Sequence, residues 1–143
     1  MLDFEFHAIC VALDGEHPDF EVLRGQLKYL SPVERVREPG RYRVEFEWVG
    51  AGGSLLSGSG ANISIGDACL LLNESDNEVF VEVSVLEGFV RWLELCGDYD
   101  FRAGFSIKRG CWLVEIADDK FEVVNAPSER DLKSAIGYIP MYR

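Results

Sequence analysis

Few residues in this chain have the type and spacing for chemistry. His7 and His17 are its only histidines, the side chains that titrate unaided near neutral pH. His7 shares a period-2 face with Glu5 and Ile9, where it could act as a general base only if a loop acid oriented it. His17 closes the acidic turn Asp14-Gly15-Glu16-His17, with Asp19 beyond it. Those oxygens could hold a cation, but the spacing of a calcium loop is absent. Cys10, Cys69, Cys96 and Cys111 form no CxxC pair and have no histidine at zinc-ligand spacing. Each lies in an apolar stretch, where a free thiol packs as a small hydrophobe. Spacing assembles no set of base, nucleophile and orienting group, so no enzyme activity, cofactor or metal is expected.

A second candidate is the glycine-rich run from Gly50 to Gly60. It follows a strand pattern, as phosphate-binding loops do, but lacks their Gly-Lys-Ser/Thr ending. Asn62 to Asp67 behind it reads as a strand, whereas a phosphate needs the free N–H groups of a helix N-terminus. The run reads as a flexible connection. Leu55 and Leu56 at its centre must tuck back onto the fold or wait for another protein.

Charge is more informative. The 143 residues carry 25 acids against 14 bases, a formal charge of −11, which argues against a nucleic-acid backbone or an anionic membrane as partner. Arg35, Arg37, Arg41 and Arg43 make a locally basic stretch, but Glu34, Glu38, Glu45 and Glu47 interleave with them and favour cross-strand pairing. From Glu74 to Asp100 the balance reverses. Glu74, Asp76, Glu78, Glu82, Glu87, Glu94, Asp98 and Asp100 face the single base Arg91. Glu87 and Arg91 stand at i, i+4, worth only about 0.2–0.5 kcal/mol on a helix. The remaining acids have no partner within the segment, so they serve solubility or a basic partner.

The elements that must position these groups follow from periodicity. Residues 2–13 alternate and predict a strand. Pro18 to Leu30, with Phe20, Leu23, Leu27 and Leu30 on one stripe, predicts a helix ended by Pro32. Arg41 to Val49 alternates strictly, with Tyr42, Val44, Phe46 and Trp48 inward. Asn62 to Asp67, Ala68 to Leu72 and Glu78 to Leu86 read as strands, the last two joined by a hairpin. Phe89, Trp92, Leu93 and Cys96 predict a second helix over Glu87 to Cys96, with Gly97 ending it. Phe101 to Ile107, Cys111 to Ala117 and Phe121 to Val124 predict a meander. Ser128-Glu129-Arg130-Asp131 resembles a capping box before a short last helix, which Gly137 and Pro140 close. The fold expected is α+β in one domain over residues 1–143: a mostly antiparallel sheet of about six to eight strands, with two or three helices packed on one side.

A cytoplasmic location is expected, because the start Met1-Leu2-Asp3-Phe4-Glu5-Phe6 carries acids where a signal peptide carries positive charge. No apolar run reaches the roughly 18 residues that span a bilayer. This small, acidic profile without catalytic groups is similar to that of bacterial immunity proteins. The resemblance implies a non-enzymatic inhibitor that masks a basic partner such as a nuclease toxin domain. The partner-binding residues would be the eight acids from Glu74 to Asp100 together with Leu55 and Leu56. Two other readings stand beside it. One is a small enzyme or anionic-ligand domain with its pocket near the glycine loop, Arg41 or Arg43 orienting the ligand and His7 or Glu45 handling protons. The other is a structural or adaptor subunit of a homo-oligomer, joined through Trp48, Leu55 and Leu56.

Overall fold

The computed structural model describes residues 1–139. The chain opens on a helix where alternation predicts a strand: α1 runs Asp3–Ala12. Asp3 and Glu5 lie in its first turn, on the positive end of the dipole. The Glu5 carboxylate accepts the free Leu2 N–H at 2.8 Å. Ala8, Ile9, Val11 and Ala12 are buried, whereas Phe6 is half exposed, so the apolar face has helical and not strand spacing.

The last carbonyls of α1 have no partners in their own helix, and distant side chains supply them. Trp112 Nε1 donates to Val11 O at 3.0 Å, Arg130 Nη1 to Ala12 O at 3.0 Å and also to Asp14 O, and Arg24 to Leu13 O. Two guanidiniums therefore sit at the negative end of the helix dipole.

Helix α2, Pro18–Gln26, lies where it is expected and passes into a 3₁₀ turn at Leu27–Tyr29. His17 caps it, its Nδ1 accepting the Asp19 N–H at 3.1 Å. Gln26 is buried, and its amide is fully used: Nε2 donates to Ser54 O and Gly88 O, and Oε1 accepts the Val90 N–H. That one side chain ties the glycine loop and the turn at Glu87-Gly88 to α2.

The long segment β1 spans Leu30–Trp48. Extended throughout, it would reach about 60 Å, yet Val49 N–H donates to Tyr29 O at 2.7 Å, so it doubles back. The reversal falls at Pro39-Gly40, where Gly40 takes φ +83° and Arg41 reaches Glu38 at 3.6 Å. The second arm carries Tyr42, Val44 and Phe46 into the core, as alternation predicts.

Six further strands follow: β2 Ile63–Leu72, β3 Glu78–Leu86, β4 Phe89–Asp100, β5 Ile107–Ala117, β6 Lys120–Val124 and, after the short helix α3 (Leu132–Ala135), β7 Ile136–Tyr138. They form one antiparallel sheet in the order β1-β4-β3-β2-β5-β6. Strand β7 pairs with β2 over Ile63–Ile65, ahead of an irregularity between Ile65 and Ala68, and β5 pairs with β2 from Ala68 onward. The result is an α+β architecture. Helix α1 packs on β2, β3 and β5, and α2 packs on β4. Asp131 caps α3, its carboxylate accepting from the Ser134 hydroxyl at 2.8 Å. Gly137 falls in β7, and Pro140 lies outside the described residues.

The helix expected over Glu87 to Cys96 is strand β4. Its inward residues are Val90, Leu93 and Leu95, and the three-residue step from Val90 to Leu93 imitates a helical stripe. A bulge causes it: Val85 faces Val90 and Ser84 faces Trp92, which leaves Arg91 over. The turn before it uses Glu87 at φ 57° and Gly88 at φ 90°, the double left-handed geometry of a type I′ hairpin. A Cβ on Gly88 would stand 2.4 Å from Leu56 O. Gly88→Ala is therefore expected to cost about 1–3 kcal/mol, read as a lower urea midpoint with an unchanged slope. The run expected as a strand from Phe101 is instead a turn, where Ala103 N–H donates to Asp100 O. Behind it Phe101 and Phe105 cluster edge-on with Phe4, Tyr42 and Tyr99.

Candidate functional site

Antiparallel order fixes which acids share an end of the sheet. The β2–β3 connection, the start of β3 and the finish of β4 all lie at one end, so Glu74, Asp76, Glu78, Asp98 and Asp100 meet there. The turn of β1 joins them, because Phe101 N–H donates to Glu38 O and Pro39 faces Asp100. Glu74 is held in place by Ser106, accepting its N–H at 2.8 Å and its hydroxyl at 2.7 Å. Those bonds, the hydroxyl's first, hold the Glu74 carboxyl below the usual range. Asp100 accepts from the Arg102 guanidinium at 2.7 and 2.9 Å and from its N–H at 3.0 Å, which pulls its pKa down to about 2. Asp98 accepts weakly from Asn77 Nδ2 at 3.4 Å. Asp76 and Glu78 make no side-chain hydrogen bond or ion pair among the described residues. Of the bases at this end, Arg102 is bound to Asp100, Arg109 donates to Asn125, Arg41 reaches Glu38 and Glu94, Arg37 lies over the Phe4 and Tyr42 rings, and Lys108 follows the first residue of β5.

The other three acids stand elsewhere. Glu82 and Glu94 face each other across β3 and β4 in the middle of the sheet, on the side away from the helices. Glu94 lies between Arg41 at 3.4 Å and Arg43 at 3.9 Å, and Glu82 accepts from the Ser64 hydroxyl at 3.0 Å. Beside them Trp92 is flanked by Arg43 and Arg91, 4.8 and 5.7 Å from its ring. This is the cross-strand pairing the interleaved arginines predict. Glu87 sits at the far end of β4, about 36 Å of strand from Asp98. It pairs with Arg91 at 3.9 Å, across a hairpin turn and not along a helix.

Leu55 and Leu56 accompany Glu87. Leu56 N–H donates to Gly88 O at 2.8 Å, and its side chain packs on the core; Leu55 is 54% exposed. The glycine loop is packed, not merely a spacer. Gly52 and Gly53 pass so close to the stacked Tyr29 and Trp48 that a Cβ at either would fall within 2.8 Å of a ring. Trp48 also meets Phe89 edge-on at 6.0 Å, so the tryptophan read as an oligomer contact is engaged within its own chain.

Neither histidine acquires a catalytic partner among the described residues. His17 is a helix cap, and His7 is exposed beside an open cleft lined by Leu2, Phe4 and Phe105. No group of three His, Cys, Asp or Glu side chains stands close enough to hold a metal ion among the described residues. Cys69 and Cys111 face each other across β2 and β5, buried and unbridged. Burial first, and then the neighbouring thiol, pushes Cys69 up to about 12, so it stays protonated at neutral pH. A cleft of about 810 Å³ opens at the C-terminus of α1 beside Cys10, Arg24 and Arg130. Both guanidiniums there are already committed to backbone carbonyls. No described helix is long and apolar enough to cross a membrane.

Sequence reasoning missed Glu5, Gln26 and Arg130, the three buried polar residues among those described, which join distant parts of the chain. Buried polar residues leave no periodic signal, and their partners lie up to 118 residues away. Compared with known families, curated proteins and solved structures, the chain matches none.

Proposed function

We propose that this protein is a non-enzymatic binding domain whose acidic sheet end masks a basic partner protein, as immunity proteins mask nuclease toxins. The observation that carries this reading is the convergence of Glu74, Asp76, Glu78, Asp98 and Asp100 from two strands and the one connection between β2 and β3 onto one end. Glu74 and Asp100 are fixed by hydrogen bonds, while Asp76 and Glu78 remain free to meet incoming cations. A rigid surface with an excess of one charge steers an oppositely charged protein and raises its association rate. The Glu82–Glu94 region contributes less, since arginines already neutralise it.

The test is a parallel capture from native lysate with three baits, each eluted by a salt step and identified by mass spectrometry. One bait is the native chain, one carries Asp76→Lys, Glu78→Lys and Asp98→Lys, and one carries Glu87→Lys. The expected result is a stoichiometric basic protein held by the native and Glu87→Lys baits, released by salt, and lost from the triple variant. Equal recovery on all three baits, or recovery of no basic protein, would overturn the proposal.

A further inference from the structure

The two edges of the sheet are built differently. The outer arm of β1 carries Pro32 and the charged Glu34, Arg35 and Arg37, features that prevent another strand from adding to an edge. Strand β6, the opposite edge, has no proline and no strand beyond it among the described residues. Every residue from Glu115 to Val123 is exposed, so the β5–β6 hairpin stands clear of the body on both faces. Ile116 and Phe121, 61% and 59% exposed, are the two most exposed large hydrophobics described. An open, apolar edge of this kind is a template for pairing.

Its charges select the partner. Lys120 and Glu122 lie on one face of β6, and neither has an ion pair or side-chain hydrogen bond among the described residues. When two copies of β6 pair antiparallel about a two-fold axis at Phe121, Lys120 of each copy faces Glu122 of the other and the two Phe121 rings meet. Other registers are penalised. An axis at Lys120 opposes two lysines, and one at Glu122 opposes two glutamates. An axis between Lys120 and Phe121 sets Asp119 against Glu122, and an axis between Phe121 and Glu122 sets a ring against a carboxylate. Among axes from Lys120 to Glu122, which keep the hairpin turn out of the pairing, only the Phe121 register makes attractive pairs, and symmetry makes it twice.

We propose that a second copy of this chain docks on β6 in that register, continuing the sheet from one protomer into the next. The hairpin tip lies at the end of β5 away from the acidic cluster, so each copy keeps its acidic end free. The strand is five residues long, which places the dimer among small, weak interfaces whose population rises with concentration.

Sedimentation equilibrium at physiological salt, up to about 1 mM protein, tests this. The native chain is expected to dimerise with concentration. Lys120→Glu alone and Glu122→Lys alone should each weaken self-association at least about tenfold, since two attractions become two repulsions. Mixing those two variants should restore dimers, because every facing pair is then opposite in charge. Both substituted residues are solvent-exposed, so circular dichroism should be unchanged. A monomer throughout the range would overturn the proposal, as would a dimer indifferent to either reversal or a mixture that fails to recover. None of these outcomes depends on the basic-partner reading.

Discussion

Replacing Arg130 with alanine is expected to remove about 3–5 kcal/mol of stability and lower Tm by on the order of 10 °C. The side chain is fully buried and pairs in a fork with Asp67, which is 8% exposed, at 2.5 and 2.9 Å. Its remaining N–H groups serve the carbonyls that end α1, and its plane lies over Phe20 and Trp112 at 5.2 and 5.5 Å. Alanine strands a buried carboxylate and two carbonyls and leaves a void between the rings. Against a typical total of about 5–15 kcal/mol, such a loss is a large fraction. The double variant Arg130→Met with Asp67→Leu should lose less than Arg130→Ala alone, because no unpaired charge remains. Urea unfolding of the variants checks both statements.

Glu5 is expected to have the next largest effect, with a pH signature. Its carboxylate accepts from Arg35 at 2.8 and 2.9 Å, from the Tyr42 hydroxyl and from Leu2 N–H, and it is inaccessible to solvent. Burial alone would raise its pKa, but the bonds from Arg35, Tyr42 and Leu2, with the Arg35 charge, outweigh burial and hold it lowered. A carboxyl that is more acidic in the folded state stabilises fully above its unfolded pKa, near 4.5. That contribution fades as pH falls through the lower folded value. Arg35 is about a third exposed, so solvent screens part of the pair. Glu5→Ala should cost about 3 kcal/mol at neutral pH, less than the fully buried Arg130 site. Glu5→Gln should flatten the loss of stability below pH about 4.5, read from urea midpoints across an acid pH series. An acid limb as steep as that of the native chain would contradict the role given to Glu5.

These two residues also show what was legible in the sequence. Strict alternation located the inward face of the second arm of β1, and Pro18 with its leucine stripe located α2, because in each case one face meets the core and the other meets water. Alternation misled over residues 2–13 because a buried glutamate stands on the inner face of α1 and a half-exposed Phe6 on the outer. At β4 the Arg91 bulge shifted the inward residues from period 2 to a three-residue step. The turn that would have marked the hairpin is Glu-Gly, where Asn-Gly or Asp-Gly is the stronger signal. The acidic segment was visible as composition, yet its division between two ends and the sheet's open face depended on strand order. Adjacency in the chain placed Glu87 with Asp98, whereas topology separates them by the length of a strand.

On the proposed function, the acids at the β2–β3 end, and not those near Glu87, are expected to steer a basic partner. Stopped-flow association of the purified protein with the captured partner, over a series of salt concentrations, tests it most directly. The native chain and Glu87→Lys should associate fast at low salt and slow steeply as salt rises. The Asp76→Lys, Glu78→Lys, Asp98→Lys variant should associate at least about tenfold more slowly at low salt and with a much shallower salt dependence. The same rate and the same salt slope in all three proteins would contradict steering by that end of the sheet.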